Sequence, residues 1–385
     1  MLELIIQSLR WWVSEYHIDG FRLDAAGVLA RDEKEGCLTA PPVLAAIAAD
    51  PLLQDVKLIV EPWDAGEAVG SPNYLNGKFP FGDRFLEWNP DFSRTVRKFM
   101  RGVEGSSGAF CKLIRGSRSK YHNRRHGSCH SVNYLSCHDG FSLYDTVSYI
   151  DRTNADGHDE ETAGNCGVEG PTTNVEVLRL RQRQTRNMIL ALVLARGVLM
   201  LQQGDEMCAT KYGNNNSYDI DGAANFLAAD AACPRSEPSR WARAFWAQAL
   251  LFRETHRALL CGNDFYDRPG LTFTWTMADG GPWRSRRTAD RGGEFVAWIV
   301  HDERSCLYMA FNAGPAARET RVPAPPQTFG SAHARWRRIC DTADEGAGFS
   351  VDDNGQEHLW PEATGGVLPM ECFSAVILAC RRSGN

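Results

Sequence analysis

Chemistry in this sequence centres on three acidic residues that each close a short apolar run: Asp24 after GFRL, Glu61 after KLIV and Asp139 after LSCH. Singly, an acid at the end of a strand serves as a turn former or helix cap. Arg22 lies two residues before Asp24, hence on the same strand face, and His138 immediately precedes Asp139. Together they form a convergent charged set. Asp24 and Glu61 suit hydrolysis of a glycosidic bond with retention, in which an ionised carboxylate attacks the anomeric carbon and a protonated carboxyl serves the leaving oxygen, the two about 5 to 5.5 Å apart. Arg22 would hold Asp24 ionised. Glu61, after a strongly apolar strand and beside Trp63, is expected to be partly desolvated and so kept an acid.

Alternating helical and strand-like segments can bring these residues together. Leu2, Ile5, Ile6, Leu9, Trp12 and Val13 share one face of an amino-terminal helix, followed by a strand in IDGFRLD at 18–24. A helix with Pro41 and Pro42 at its start precedes VKLIVE at 56–61. RFLEW at 84–88, SVNYLSCHD at 131–139 and GVLMLQQGDE at 197–206 are further strands, with helices around Phe92 to Met100 and from Val175 to Ala195. Each strand is followed by a helix, the pattern of βαβ units in a parallel sheet with its site at the carboxyl ends of the strands. The helix at 241–260 places Trp241, Phe245 and Leu251 or Phe252 on one face. From about residue 265 the texture turns to strands at 271–276, 295–300, 306–312, 336–342 and 373–380, separated by turn-rich pieces such as RSRRTADRGGE and DDNGQ, as in an antiparallel β-sandwich.

Composition narrows the partners. A 385-residue chain with a formal net charge of −6 is long enough for a large and a smaller domain and lacks the positive field that nucleic acid or an anionic membrane requires. A neutral sugar is an easy partner. Met188 to Leu201, interrupted by Arg196 and Gly197, falls short of the ~20 apolar residues of a membrane span and reads as a buried helix leading into a strand. The first residues lack the basic start and small-residue cleavage site of a secretory signal. The twelve cysteines form no CxxC pair, which fits free thiols in a reducing compartment.

GFRLD at 20–24, EPWDAG at 61–66 and CHDGFSLYD at 137–145 resemble, in order and spacing, signature regions of the α-amylase superfamily, and most closely its isoamylase-type debranching enzymes of starch and glycogen. HIDGFRLDAA, GDEMCATKYGNNNSY at 204–218 and NCGVEG at 165–170 agree, the last being similar to plant and algal isoamylases. The resemblance covers nearly the whole chain. It implies an α/β fold, a partial (β/α)8 TIM barrel with strands four to eight over 1–264, followed by a C-terminal antiparallel β-sandwich over 265–385. By it Asp24 matches the nucleophile, Glu61 the general acid/base and Asp139 the carboxylate that stabilises the transition state. Arg22 and His138 match residues that orient the nucleophile and hold sugar hydroxyls. The implied reaction is cleavage of α-1,6 branch points in amylopectin, glycogen or limit dextrins, with no cofactor. The implied location is the plastid stroma for a plant or alga and the cytoplasm otherwise, with assembly into homo- or hetero-oligomers with other isoamylase subunits possible. The alternatives are a non-catalytic glucan-binding or scaffolding subunit and an α-1,4-acting member of the superfamily.

The chain departs from the family pattern in two places. Its first strand matches the family's fourth, so three strands, the first signature region and the amino-terminal β-sandwich are unmatched. An unclosed sheet would expose strand edges near 18–24 and 197–203, and the chain alone is then expected to be poorly soluble or inactive. A long insert at 65–85 follows Glu61 and bears on branch-length preference. Trp63, Trp88 and Tyr144 are candidate sugar platforms or core residues. RLRQRQTR at 179–186 reads as a solvated helix face, Asn214 to Asn216 as a sugar-binding rim or a tight loop, and His122, His126 and His130 as an exposed loop without a metal.

Overall fold

The computed structural model describes residues 1–32, 36–64, 74–157, 162–222, 224–227, 237–281, 293–326, 336–344, 346, 348–349 and 366–381. Residues 65–73 of the insert and most of the turn-rich pieces RSRRTADRGGE and DDNGQ lie outside them.

Helix α1 (Leu2–Tyr16) leads into β1 (Gly20–Leu23), α2 (Pro42–Ala49) into β2 (Lys57–Val60), and β3 (Leu86–Asn89) into α3 (Pro90–Met100). Prolines start α2 and α3, where the missing N–H costs nothing. The short helices α4 (Ser107–Ile114) and α5 (Arg118–Tyr121), not anticipated from the pattern, precede β4 (Ser131–Asn133). The long α6 (Val175–Leu194), capped by the Asn174 side chain on the N–H groups of Glu176 and Val177, runs into β5 (Val198–Leu199). The five strands pair in parallel in sequence order, β1-β2-β3-β4-β5. Side chains alternate between the two faces: Leu58 and Val60 pack beneath α1 and α2, whereas Ile59 joins Trp88, Val132 and Val198 on the other face.

After α7 (Glu237–Thr255) and α8 (Arg257–Leu260) come β6 (Thr272–Thr276), β7 (Phe295–His301), β8 (Ser305–Asn312), β9 (Arg318–Arg321), β10 (Arg337–Asp341), β11 (Val367–Met370) and β12 (Ser374–Arg381). They form a five-stranded sheet β10-β12-β8-β7-β6 with antiparallel neighbours, and a small antiparallel β11-β9 pair. One face of the larger sheet, with Trp298, Leu307, Met309, Phe311 and Ile377, shares a core with α3, α4, α6 and α7. The other, with Phe295, Tyr308 and Leu378, packs against Leu368 and Met370 of β11.

Several expectations need correction. The strands predicted at 131–139 and 197–206 shrink to three and two residues, because the backbone beyond them turns into loops pinned by side chains. Asp139 therefore lies six residues past its strand. On α1, Ile5, Ile6, Leu9 and Val13 face the core, while Leu2 and Trp12 are exposed, Trp12 resting against Tyr16. Of the two residues offered for α7, Phe252 is buried and Leu251 is exposed. The segment RLRQRQTR is no solvated face: Arg181, Gln184, Thr185 and Arg186 are buried, since α6 lies between the parallel sheet and the C-terminal strands. Arg181 donates to the Val168 and Asn165 carbonyls, and Arg186 to those of Asp344 and Gly346, each at 2.6 Å. The histidine cluster is only partly a surface loop, because His130 is fully buried with its Nδ1 3.2 Å from the Phe85 carbonyl.

Candidate active site

Strands β1 and β2 run side by side with Leu23 opposite Val60, so the residues that follow, Asp24 and Glu61, emerge together at the carboxyl end of the sheet. The turn after β1 locks this arrangement. The Ala26 N–H donates to the Glu61 carbonyl at 3.0 Å and the Gly27 N–H to the Trp63 carbonyl at 2.9 Å. A Cβ on Gly27 would stand 2.6 Å from the Trp63 backbone, so only glycine permits the approach. The Ala25 N–H reaches the Glu61 side chain itself, at 2.9 Å from Oε2.

Arg22 joins the two carboxylates. Its guanidinium lies 3.0 Å from Asp24 Oδ1 and also pairs with Glu61 Oε1. It sits over the Trp88 ring, 4.5 Å from the centroid, which fixes its plane from below. One ligating atom from each of Asp24, Glu61 and His138 falls within 4.8 Å of the others. That spacing could also gather round a cation, but Arg22 already supplies positive charge between the two acids. Asp139 joins through His138, whose Nε2 is 3.4 Å from Asp139 Oδ2.

The two acids meet different surroundings. Asp24 is open to solvent, with a side chain 76% exposed, whereas Glu61 is only 4% exposed. Burial raises the Glu61 carboxyl above the ordinary carboxylate range, against the downward pull of the Ala25 N–H and Arg22 and with a further push from Asp24. An exposed carboxylate beside a buried carboxyl of raised proton affinity is the division of labour that acid-assisted displacement at an acetal carbon requires.

Trp63 is partly buried and lies parallel to Tyr74 at 6.4 Å, with Trp88 at 6.5 Å. Trp88 is buried and supports Arg22, and Tyr144 packs against the core. The asparagine run serves a tight loop: Asn214 Oδ1 accepts from the Asn216 N–H and Asn216 Nδ2 donates to the Asp156 carbonyl. Buried acids that spacing alone does not single out hold the loops around His138. Asp205 accepts from Ser136 Oγ and the Leu143 N–H, with burial lifting its carboxyl to about 6. Asp145 accepts from the Lys211 N–H, and Lys211 Nζ donates to the carbonyls of His138 and Gly140 at 2.7 and 3.0 Å. Their only sequence signal is membership of the 137–145 and 204–218 blocks. The buried Asp64 pairs with Arg31 at 2.6 Å.

No family model matches the chain. Among curated proteins it is 37% identical over 350 residues to isoamylase 3, chloroplastic, of Oryza sativa subsp. japonica, covering 88% of this chain and 42% of the relative. It is 33% identical to isoamylase SU1, chloroplastic, of Zea mays, covering 98% and 50%. It is 41% identical over 234 residues to a glycogen operon protein GlgX homolog of Mycobacterium tuberculosis, covering 59% and 31%. Its fold is similar to that of type I pullulanase from Bacillus subtilis complexed with maltose (TM-score 0.66, 21% identity, 99% of this chain and 46% of that one). It is similar also to the catalytic module of the pneumococcal glycogen-degrading factor SpuA (TM-score 0.67, 16% identity, 100% and 55%). The chain thus belongs to the isoamylase-type debranching family, and it spans about half the length of the curated relatives it matches.

Proposed function

We propose that this chain carries the catalytic centre of a glycoside hydrolase that cleaves α-1,6 branch points of amylopectin, glycogen or their limit dextrins. The observation that carries the reading is the clustering of Asp24, Glu61 and His138 within 4.8 Å around a shared arginine. Asp24 attacks the anomeric carbon, and the bond to the branch oxygen breaks as Glu61 gives that oxygen its proton. The glycosyl ester on Asp24 is then opened by water, which loses a proton to Glu61, so the product keeps its configuration. Arg22 orients Asp24 through their contact at 3.0 Å, and His138 with Asp139 offers hydrogen bonds to sugar hydroxyls. Trp63 offers its ring to a pyranose face.

In this reading the five parallel strands are strands four to eight of a (β/α)8 barrel within residues 1–264, and residues 265–385 form a β-sandwich domain. The plant relatives are named chloroplastic, and a plastid location is proposed for a plant or algal source. No helix among the described residues is long and apolar enough to cross a membrane.

The test is Asp24→Asn in the longest form of the protein purified from its source, assayed by reducing-end release from amylopectin. Turnover should fall by about 10⁴-fold with the fold intact. Near-normal activity would overturn the assignment. Release from linear amylose in place of branched glucan would favour an α-1,4-acting enzyme instead.

A further inference from the structure

Asp139 stands on a loop. Strand β4 ends six residues earlier, at Asn133, so ladder hydrogen bonds do not set where its half-exposed carboxylate points. Its direction depends on the peptide groups around it, and the segment 211–215 holds three of them in succession. Lys211 Nζ donates to the His138 carbonyl, immediately before Asp139, at 2.7 Å, and to the Gly140 carbonyl at 3.0 Å. Between these two, the Gly140 N–H donates to the Asn215 carbonyl at 3.0 Å. Asp139 cannot swing without breaking one of these contacts.

Lys211 is itself fixed from both sides. Its side chain is buried, and its N–H donates to Asp145 Oδ2 at 2.7 Å. Its carbonyl accepts from the Asn214 N–H at 3.0 Å, closing a four-residue turn. The two central residues of that turn, Tyr212 at φ 57° and Gly213 at φ 77°, are both left-handed. Glycine takes this conformation freely, whereas tyrosine is strained in it. Backbone strain of this kind persists where the surroundings fix a position, and it gathers at functional sites. Thr210 Oγ1 accepts from the Tyr212 N–H at 2.9 Å and donates to Asp145 Oδ1, which ties the strained turn to the segment that carries Asp139. An apolar side chain would fill the same slot without desolvating an ammonium group. What the lysine adds is a fixed direction for the two carbonyls that bracket Asp139.

We propose that Lys211 is a positioning residue for the reaction, aiming the Asp139 carboxylate at the space between Asp24 and Glu61. The inference rests on the glucan-hydrolase reading and adds to it a residue that acts through Asp139.

The experiment compares wild type, Lys211→Met, Asp139→Asn and the double variant in the longest form of the protein, by reducing-end release from amylopectin per folded molecule. Lys211→Met should lower kcat about 10- to 100-fold and leave KM within about 2-fold, as misplacement of one reacting group does. In the Asp139→Asn background the same replacement should have little further effect, because the group it positions is already lost. Lys211→Gln should show the same split and serves if the methionine variant does not fold. Unchanged kcat, a loss confined to the melting temperature, or a full further loss in the Asp139→Asn background would overturn the positioning role while leaving the hydrolase reading standing. Wild-type turnover in Asp139→Asn, or a wild-type protein that releases no reducing ends, would overturn the hydrolase reading of this loop and the inference with it.

Discussion

Replacing Glu87 by Gln should remove a pH dependence of folding that the wild type carries. Glu87 lies on β3 with 1% exposure, its Oε2 accepting from the Gly77 N–H and, at 3.3 Å, from Asn76 Nδ2. Its Oε1 faces Arg124 at 3.8 Å and has no hydrogen-bond partner among the described residues. Burial raises this carboxyl from an ordinary 4.5 to about 7, even though Gly77, Arg124 and Lys120 pull it down. The folded state therefore binds a proton that the unfolded chain releases near pH 4.5. The stabilisation is fully present below that pH and is lost as pH rises through about 7. A rise of about 2.5 at ~1.36 kcal/mol each gives about 3 kcal/mol. Urea unfolding of both proteins at pH 4.5 and pH 8 measures it: relative to wild type, the variant should gain about 3 kcal/mol over that interval. Asp205, which titrates in the same direction, cancels in the difference. A wild-type-minus-variant difference that does not change with pH would refute the assignment of the buried proton to Glu87.

Asp264→Asn should cost about 3 to 5 kcal/mol, read from the denaturation midpoint, because it removes the negative charge paired at 3.0 Å with the fully buried Arg196, whose guanidinium lies over the Tyr266 ring. Gly27→Ala should lower turnover far more than it lowers substrate binding, since the added methyl pushes the Trp63 backbone and with it the Glu61 carboxyl out of place. Equal kcat in that variant would show that the turn does not position the acid. Arg186→Ala should destabilise by about 2 to 4 kcal/mol in thermal melts, through the loss of a fully buried side chain that packs on Trp241 and Phe245 and of its hydrogen bonds to the Asp344 and Gly346 carbonyls.

The grouping of Asp24 with Glu61 was legible because its parts are local. GFRLD and KLIVE are short apolar strands closed by an acid, and parallel pairing in sequence order brings their ends together without further information. What the sequence hid depends on non-local packing. RLRQRQTR has the charge density of a solvated face, and nothing in its periodicity tells that α6 is enclosed on both sides, with guanidinium groups spent on carbonyls of remote loops. Likewise β9 and β11 escaped notice, since RETR and VLPM are brief, polar or proline-bearing segments whose pairing is set by the sheet they cover. The shortening of the predicted strand at 131–139 has the same origin: YLSCHD is held by Asp205 and Lys211, not by ladder hydrogen bonds.

The shared core between α6 and the carboxyl-terminal sheet has a thermodynamic consequence. Trp298, Phe311 and Ile377 are buried against the helices that flank the parallel strands, and Thr342 Oγ1 donates to Asn187 Oδ1 on α6 at 2.6 Å. Neither part can melt without uncovering the apolar surface of the other, so calorimetry should record one cooperative transition across both. A proteolytic cut near residue 264 would then release no independently folded fragment, and the carboxyl-terminal strands act as the outer wall of the layer that keeps the loops around Asp24 and Glu61 in register.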